Sequence, residues 1–320
     1  MSNRPKDDEL REVWARLQQE FDQRPPASDD GATRPPNYPQ TGETTRLPPP
    51  DAQRPIYGEA TPIPTPRRVR VPLPASKPRI VYALIALNVI MFVATLVVER
   101  GRTSILREPF SGEGFGPFEA ALYILGAKWG PAIDAGQWWR LITPMILHGS
   151  LVHLGFNSYA LYALGPESER VYGLWRFLAI YLIAGIAGNV ASYMITPDQL
   201  AIGASGAIFG LIGALAAFAY ASRGILGKER AEAQIKQLIG MAAINLVLGF
   251  VIPNIDNSAH IGGMIAGGLA GLALAPRYAV DRRVFPPALV TTGRSAQGWL
   301  GALALLVGIL GIAAYRIVSR

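Results

Sequence analysis

Three histidines, His148, His153 and His260, are all that this 320-residue chain contains, and it has no cysteine. The missing thiols exclude disulfide scaffolds, thiolate metal sites and cysteine nucleophiles. Each histidine falls in or at the end of a long apolar stretch, where a polar group costs free energy and needs a reason. Asn157 follows His153 by four residues and shares its helical face, so a donor amide and an imidazole can meet a common point. Ser205 opens one apolar run, in Ala201-Ile202-Gly203-Ala204-Ser205-Gly206-Ala207, and His260 opens another, in Ser258-Ala259-His260-Ile261-Gly262-Gly263. Brought within about 2.6 to 3.2 Å, an imidazole can take the hydroxyl proton and leave an oxygen nucleophile.

Blander readings stand beside this one. A single buried histidine is more often a hydrogen-bonded structural residue, and a serine among small residues can be only a helix cap or a packing residue. A metal site is a third reading, because histidine is the commonest metal ligand. However, His148 and His153 are five residues apart and would point about 140° apart on one helix. No acidic residue lies in the middle of the runs that hold the three histidines and Ser205. The expectation is therefore no metal and no cofactor. It is the clustering of three histidines with a serine and an asparagine that favours chemistry.

The elements that must position these groups are helices in a membrane. Residues 1–79 hold 13 of the 30 Lys/Arg, 11 of the 23 Asp/Glu and 16 of the 26 prolines, so the remainder is sparsely charged. We read 1–79 as a disordered, Pro-rich cytoplasmic tail, with Leu10, Val13, Trp14, Leu17 and Phe21 predicting a short amphipathic helix over 8–22. No basic segment followed by an apolar core opens the chain, so no cleaved signal peptide is expected. Seven apolar stretches follow, near 81–98, 141–164, 171–194, 204–222, 236–252, 258–275 and 296–315, each close to the ~20 residues that cross a bilayer. The link from Glu99 to Arg140 is rich in aromatics and glycine, which predicts partly interfacial structure.

Lys and Arg number 15 on the side holding 67–79, 165–176, 223–236 and 277–294, against 7 on the other. The positive-inside rule then puts the N-terminus in the cytoplasm and the C-terminus outside. The net charge of +7 thus reads as topology rather than as nucleic-acid binding. Ser205 and His260 both begin spans entered from the outer side. Gly206, Gly210 and Gly213 form a ridge on span four, and Gly263, Gly267 and Gly271 form one on span six, so the two backbones can approach closely.

These strings together resemble the rhomboid family of intramembrane serine proteases. The matching segments are His148-Gly-Ser-Leu-Val-His153-Leu-Gly-Phe-Asn157, Gly203-Ala204-Ser205-Gly206 and Ala259-His260-Ile-Gly-Gly263-Met-Ile-Ala-Gly267, in the family's order and spans. Trp139-Arg140 resembles the tryptophan-arginine pair of the family's first outer loop. The resemblance implies an all-α polytopic bundle with a six-span rhomboid core over 80–276. Residues 277–320 would add a linker and an extra seventh transmembrane helix.

It further implies Ser205 as nucleophile, His260 as general base and His153 and Asn157 as oxyanion stabilisers. His148, Trp139, Arg140, Phe209, Gly203, Gly206, Gly263 and Gly267 would be structural residues near the site. Phe209 stands where the family commonly has tyrosine; ring packing under His260 survives, but a hydroxyl contact does not. Asp198 and Asp256 lie in outer loops and receive no catalytic role.

The expected function is hydrolysis of single-span or polytopic membrane-protein substrates near the outer face of a bacterial plasma membrane, with the lipid bilayer itself as the other partner. The alternatives are a rhomboid-like adaptor that binds spans without cutting them, and a transporter, which the lack of convincing repeats or intramembrane acids disfavours. The basic run Arg67, Arg68, Arg70, Lys77 and Arg79 could also contact an anionic inner surface, although topology alone accounts for it.

Overall fold

A computed structural model describes residues 78–101, 116–252, 255–276, 278–281, 283, 288–291 and 295–319. The tail up to residue 77, with its expected helix over 8–22, lies outside the described residues. Ten α-helices are described: α1 Arg79–Gly101, α2 Pro117–Ile124, α3 Gly130–Asp134, α4 Leu151–Tyr172, α5 Leu174–Ile195, α6 Ser205–Ala221, α7 Arg223–Leu226, α8 Lys228–Val251, α9 Asn257–Leu274 and α10 Ser295–Val318. The 3-10 turns Trp138–Leu141 and Thr143–Ile146 precede α4. The fold is an all-α polytopic bundle, and α1, α4, α5, α6, α8, α9 and α10 overlap the seven apolar stretches. Among them α1, α5, α8 and α10 are long and apolar enough to cross a membrane by length and composition.

Two boundaries differ from expectation. The stretch 141–164 is helical only from Leu151, because Pro144 cannot donate an amide to a continuing helix and Ser150 restarts it as N-cap, accepting the His153 N–H at 3.1 Å. His148 therefore precedes the helix instead of lying on it. Between α9 and α10, read as a linker, β1 (Tyr278–Asp281) pairs antiparallel with β2 (Ala288–Thr291), Tyr278 opposite Thr291.

The helix α5 occupies the middle of the bundle, with Phe177, Ile180, Tyr181 and Tyr193 buried. Its span is 67% buried, against 11% for α8. Gly173, at φ +77°, makes the turn from α4 to α5 without a loop, a conformation that an L side chain resists. At the opposite end of the bundle from Ser205, Glu169 is 1% exposed. Its carboxylate accepts the N–H groups of Arg79, Ile80 and Val81 at 2.9, 3.2 and 3.1 Å. Those are orphan donors of the first turn of α1, where the helix dipole also favours a negative charge.

Candidate active site

Ser205 is the first residue of α6 and is half-buried. The chain enters it through Gly203, at φ +121°, whose N–H donates to the Pro144 carbonyl at 2.8 Å. A Cβ on Gly203 would lie 2.8 Å from His153 Nε2 and 3.7 Å from Ser205 Oγ, so glycine keeps the space between imidazole and hydroxyl open. The first α6 amide with an intrahelical acceptor belongs to Ile208, which donates to Ala204 at 3.0 Å. The amides of Ser205, Gly206 and Ala207 thus lie at the positive end of the helix dipole.

His260 lies in the first turn of α9 and is 8% exposed. Backbone contact brings the two helix starts together. A Cβ on Gly206 would lie 3.3 Å from the Ala259 carbonyl oxygen, and one on Gly188 of α5 would lie 2.7 Å from the same oxygen. Side chains at Gly263 and Gly267 would overlap the backbones of Gly206 and Gly210. The ridges therefore interlock from Gly206 against Gly263 to Gly210 against Gly267. The same register continues to Gly271 against Ala214, while Gly213, three residues after Gly210, meets Met264 and Gly268.

Phe209, one turn below Ser205, stacks on His260 with ring centroids 4.2 Å apart and planes 8° apart. Among the described residues His260 Nδ1 has no hydrogen-bond partner. Asp256 is instead the N-cap of α9: its carboxylate accepts the Ala259 N–H at 3.1 Å and the hydroxyls of Ser192 and Ser258.

On α4, His153 Nδ1 accepts a long hydrogen bond from the Gly149 N–H at 3.5 Å. That contact leaves Nε2, which faces Gly203, as the nitrogen that carries the proton. Asn157 is buried, and its amide donates to the His153 carbonyl at 3.0 Å. His148 is fully buried with its ring edge-on to His153, centroids 5.2 Å apart. The sequence placed these two rings on diverging faces of one helix. Because His148 sits in the turn before α4, the chain folds it back onto His153.

Trp139 is 45% exposed, an apolar side chain at the bundle surface. Its neighbour Arg140 is buried and donates to the Tyr123 and Ala127 carbonyls at 2.7 Å each, with its guanidinium 4.0 Å above the Tyr123 ring. Arg140 thus holds the segment from Tyr123 to Ala127 in place. Among the described residues no group of three His, Asp or Glu side chains converges in a way that could hold a metal ion.

Residues 135–277 match the family model of the rhomboid domain. This stretch is a rhomboid domain. The chain is 42% identical over 198 residues to Rhomboid protease GluP of Bacillus subtilis, covering 62% of this chain and 35% of that one. To Putative rhomboid protease YdcA of the same organism it is 39% identical over 133 residues, 41% of this chain and 65% of the relative. To RHOMBOID-like protein 5 of Arabidopsis thaliana it is 36% identical over 177 residues, 54% and 56% of the two chains. The chain thus spans less than two thirds of the length of these relatives. With a rhomboid domain and four helices long and apolar enough to cross a bilayer, it is an integral membrane protein.

Two residues at the Ser205 end of the bundle were not singled out from the sequence. Lys128 was only one basic residue in an aromatic link, yet it is fully buried. Asp256 was noted as a loop acid, and its capping role needed the start of α9 to be known. A lysine between Gly126-Ala127 and Trp129-Gly130, far from other charges, was the available signal for the first.

Proposed function

We propose that this rhomboid is an intramembrane serine endopeptidase whose nucleophile is Ser205 and whose general base is His260. The observation that carries the reading is the backbone contact of Gly206 with Ala259 and Gly263, which supports a close approach of Ser205 and His260 at the heads of α6 and α9. Phe209 stacked under His260 restrains the imidazole plane. In the reaction, Ser205 Oγ attacks the scissile carbonyl as His260 takes its proton. The C–N bond then breaks, and the imidazolium hands that proton to the leaving amine. Water, deprotonated by His260, cleaves the acyl ester and regenerates the serine.

The tetrahedral oxyanion needs neutral donors, because low dielectric penalises an unpaired charge heavily. His153 Nε2–H, the second amide proton of Asn157 and the backbone amides at the start of α6 are assigned that role. All seven long helices cross the bilayer in this reading, with the N-terminus cytoplasmic and the site opening at the outer face, where water reaches it. The substrate is a transmembrane helix that must unwind locally, so helix-weakening residues near its outer end favour cleavage.

The deciding experiment is cleavage of a single-span substrate in liposomes by wild type, Ser205→Ala and His260→Ala after insertion of all three is verified. The expected result is cleavage by wild type alone, with the variants at background. Equal cleavage by all three refutes the dyad. Binding of the intact helix without cleavage by wild type would make the protein an adaptor.

A further inference from the structure

Resting on the serine-histidine reading, we propose that Lys128, reinforced by Arg316 of α10, is a positioning residue that clamps the loop delivering Ser205. Lys128 has no solvent exposure and no ion pair among the described residues. Its Nζ donates to the Thr196 carbonyl at 2.6 Å and to the Gln199 carbonyl at 2.8 Å. Its main chain exchanges both hydrogen bonds with Ala201, N–H to O at 2.9 Å and O from N–H at 3.1 Å. One residue thus fixes the connection at 196, 199 and 201. Beyond Ala201 only Ile202, Gly203 and Ala204 precede Ser205, and Gly203 is pinned to Pro144.

The charge suits its place. Carbonyls at the end of α5 carry the negative end of that helix's dipole, which favours a cation. Burial pushes the Lys128 pKa down to about 8, Asp256 and Asp198 pull it back up, and Arg316 pushes it further down. A neutral amine would still keep two N–H donors, so the clamp depends on donors more than on charge.

Arg316 acts on the same helix end from the seventh long helix. It donates to the Met194 carbonyl at 2.8 Å and lies 4.4 Å above the Tyr193 ring, whose hydroxyl is hydrogen-bonded to Asp134. Lys128 from the first outer segment and Arg316 from α10 therefore converge on the last carbonyls of α5 and the connection to α6.

The test uses full-length reconstituted protein and a fluorophosphonate probe, which forms a phosphorus–oxygen bond to the active serine and expels fluoride. The labelled fraction at completion counts folded sites, and the rate constant per site reports how well Ser205 is presented. Displacing reacting groups by an ångström costs about 10²-fold. Lys128→Met is expected to keep its completion level and lose about 10- to 100-fold in rate constant, with kcat on a model substrate falling in parallel and KM unchanged. Lys128→Arg, which can still donate to both carbonyls, is expected to recover part of the loss.

An unchanged rate constant per labelled site, at any completion level, overturns the inference and leaves Lys128 as fold support only. If Lys128→Met does not insert, Arg316→Gln takes its place, with a several-fold slower rate at full completion supporting the inference and an unchanged rate overturning it. Absent labelling of wild type, or equal labelling of Ser205→Ala, overturns the nucleophile assignment and this inference with it.

Discussion

The helices α6 and α8 are both built largely from apolar residues, but one is enclosed by protein and the other faces outward. Of the 17 residues of α6, 12 are buried, whereas α8 buries only Ala231, Leu238 and Ala242 of its 24. The exposed face of α8 carries Ile239, Ile244, Val247, Leu248, Phe250 and Val251, which suits hydrocarbon rather than water. In lipid, apolarity does not draw helices together, since the tails are as apolar as leucine. Close packing of small residues supplies the association instead. What separates the two helices is therefore where glycine lets backbone meet backbone, and the proposed chemistry sits on the helix that has such contacts.

The largest break in this comparison comes from adding bulk to the α6–α9 seam. A Cβ at Gly263 would overlap the Gly206 carbonyl, and a backbone atom cannot rotate aside as a side chain can. Gly263→Val is expected to cost at least the upper end of the ~1 to 3 kcal/mol typical of overpacking. It should separate the heads of α6 and α9 and abolish cleavage. Thermal unfolding in detergent, read beside activity in liposomes, checks both parts. A folded, active Gly263→Val would mean that the seam does not hold the site.

The seam was readable from spacing because small residues four apart mark one helical face whatever the rest of the chain does. Two of the three rungs, Gly206 with Gly263 and Gly210 with Gly267, meet as the repeat implies. At the third rung Gly271 meets Ala214 in the same register, and Gly213, three rather than four residues after Gly210, turns instead toward Met264 and Gly268. The rings of His148 and His153 were misjudged. An angle of about 140° holds only on a continuous helix, and the restart at Ser150 removes that helix. Lys128 and Glu169 escaped because their partners are main-chain groups some 70 to 90 positions away in sequence, and Asp256 because the helix end that it caps was not yet located. Residue types announce side-chain chemistry, but a backbone donor or acceptor has no letter.

A milder probe acts where the enclosed helix meets the outward-facing one. Phe209 stacks on His260 and also belongs to the cluster that joins Ile212 and Leu215 of α6 to Leu238 and Ala242 of α8. A stacked aromatic pair contributes about 0.5 to 1.5 kcal/mol beyond burial. Phe209→Ala is thus expected to lower kcat about tenfold by loosening the imidazole, with a smaller fall in unfolding temperature than Gly263→Val gives. Single-turnover cleavage rates separate the two effects. A loss in stability without a loss in rate would assign Phe209 to the α8 contact alone.

The smallest effect is expected on α8 itself, at Gly240. A Cβ there would meet nothing within 4 Å, whereas at Gly263 it would meet backbone. In a helix interior alanine is favoured over glycine by roughly 0.5 to 1 kcal/mol, because it has less backbone freedom to lose. Gly240→Ala should therefore raise the unfolding temperature slightly and leave the rate of serine labelling unchanged. The same change of residue type would then stabilise one helix and be excluded from the other. A fall in labelling rate in Gly240→Ala would show instead that α8 must bend at Gly240 for the site to work, and that its sparse packing serves motion as well as lipid contact.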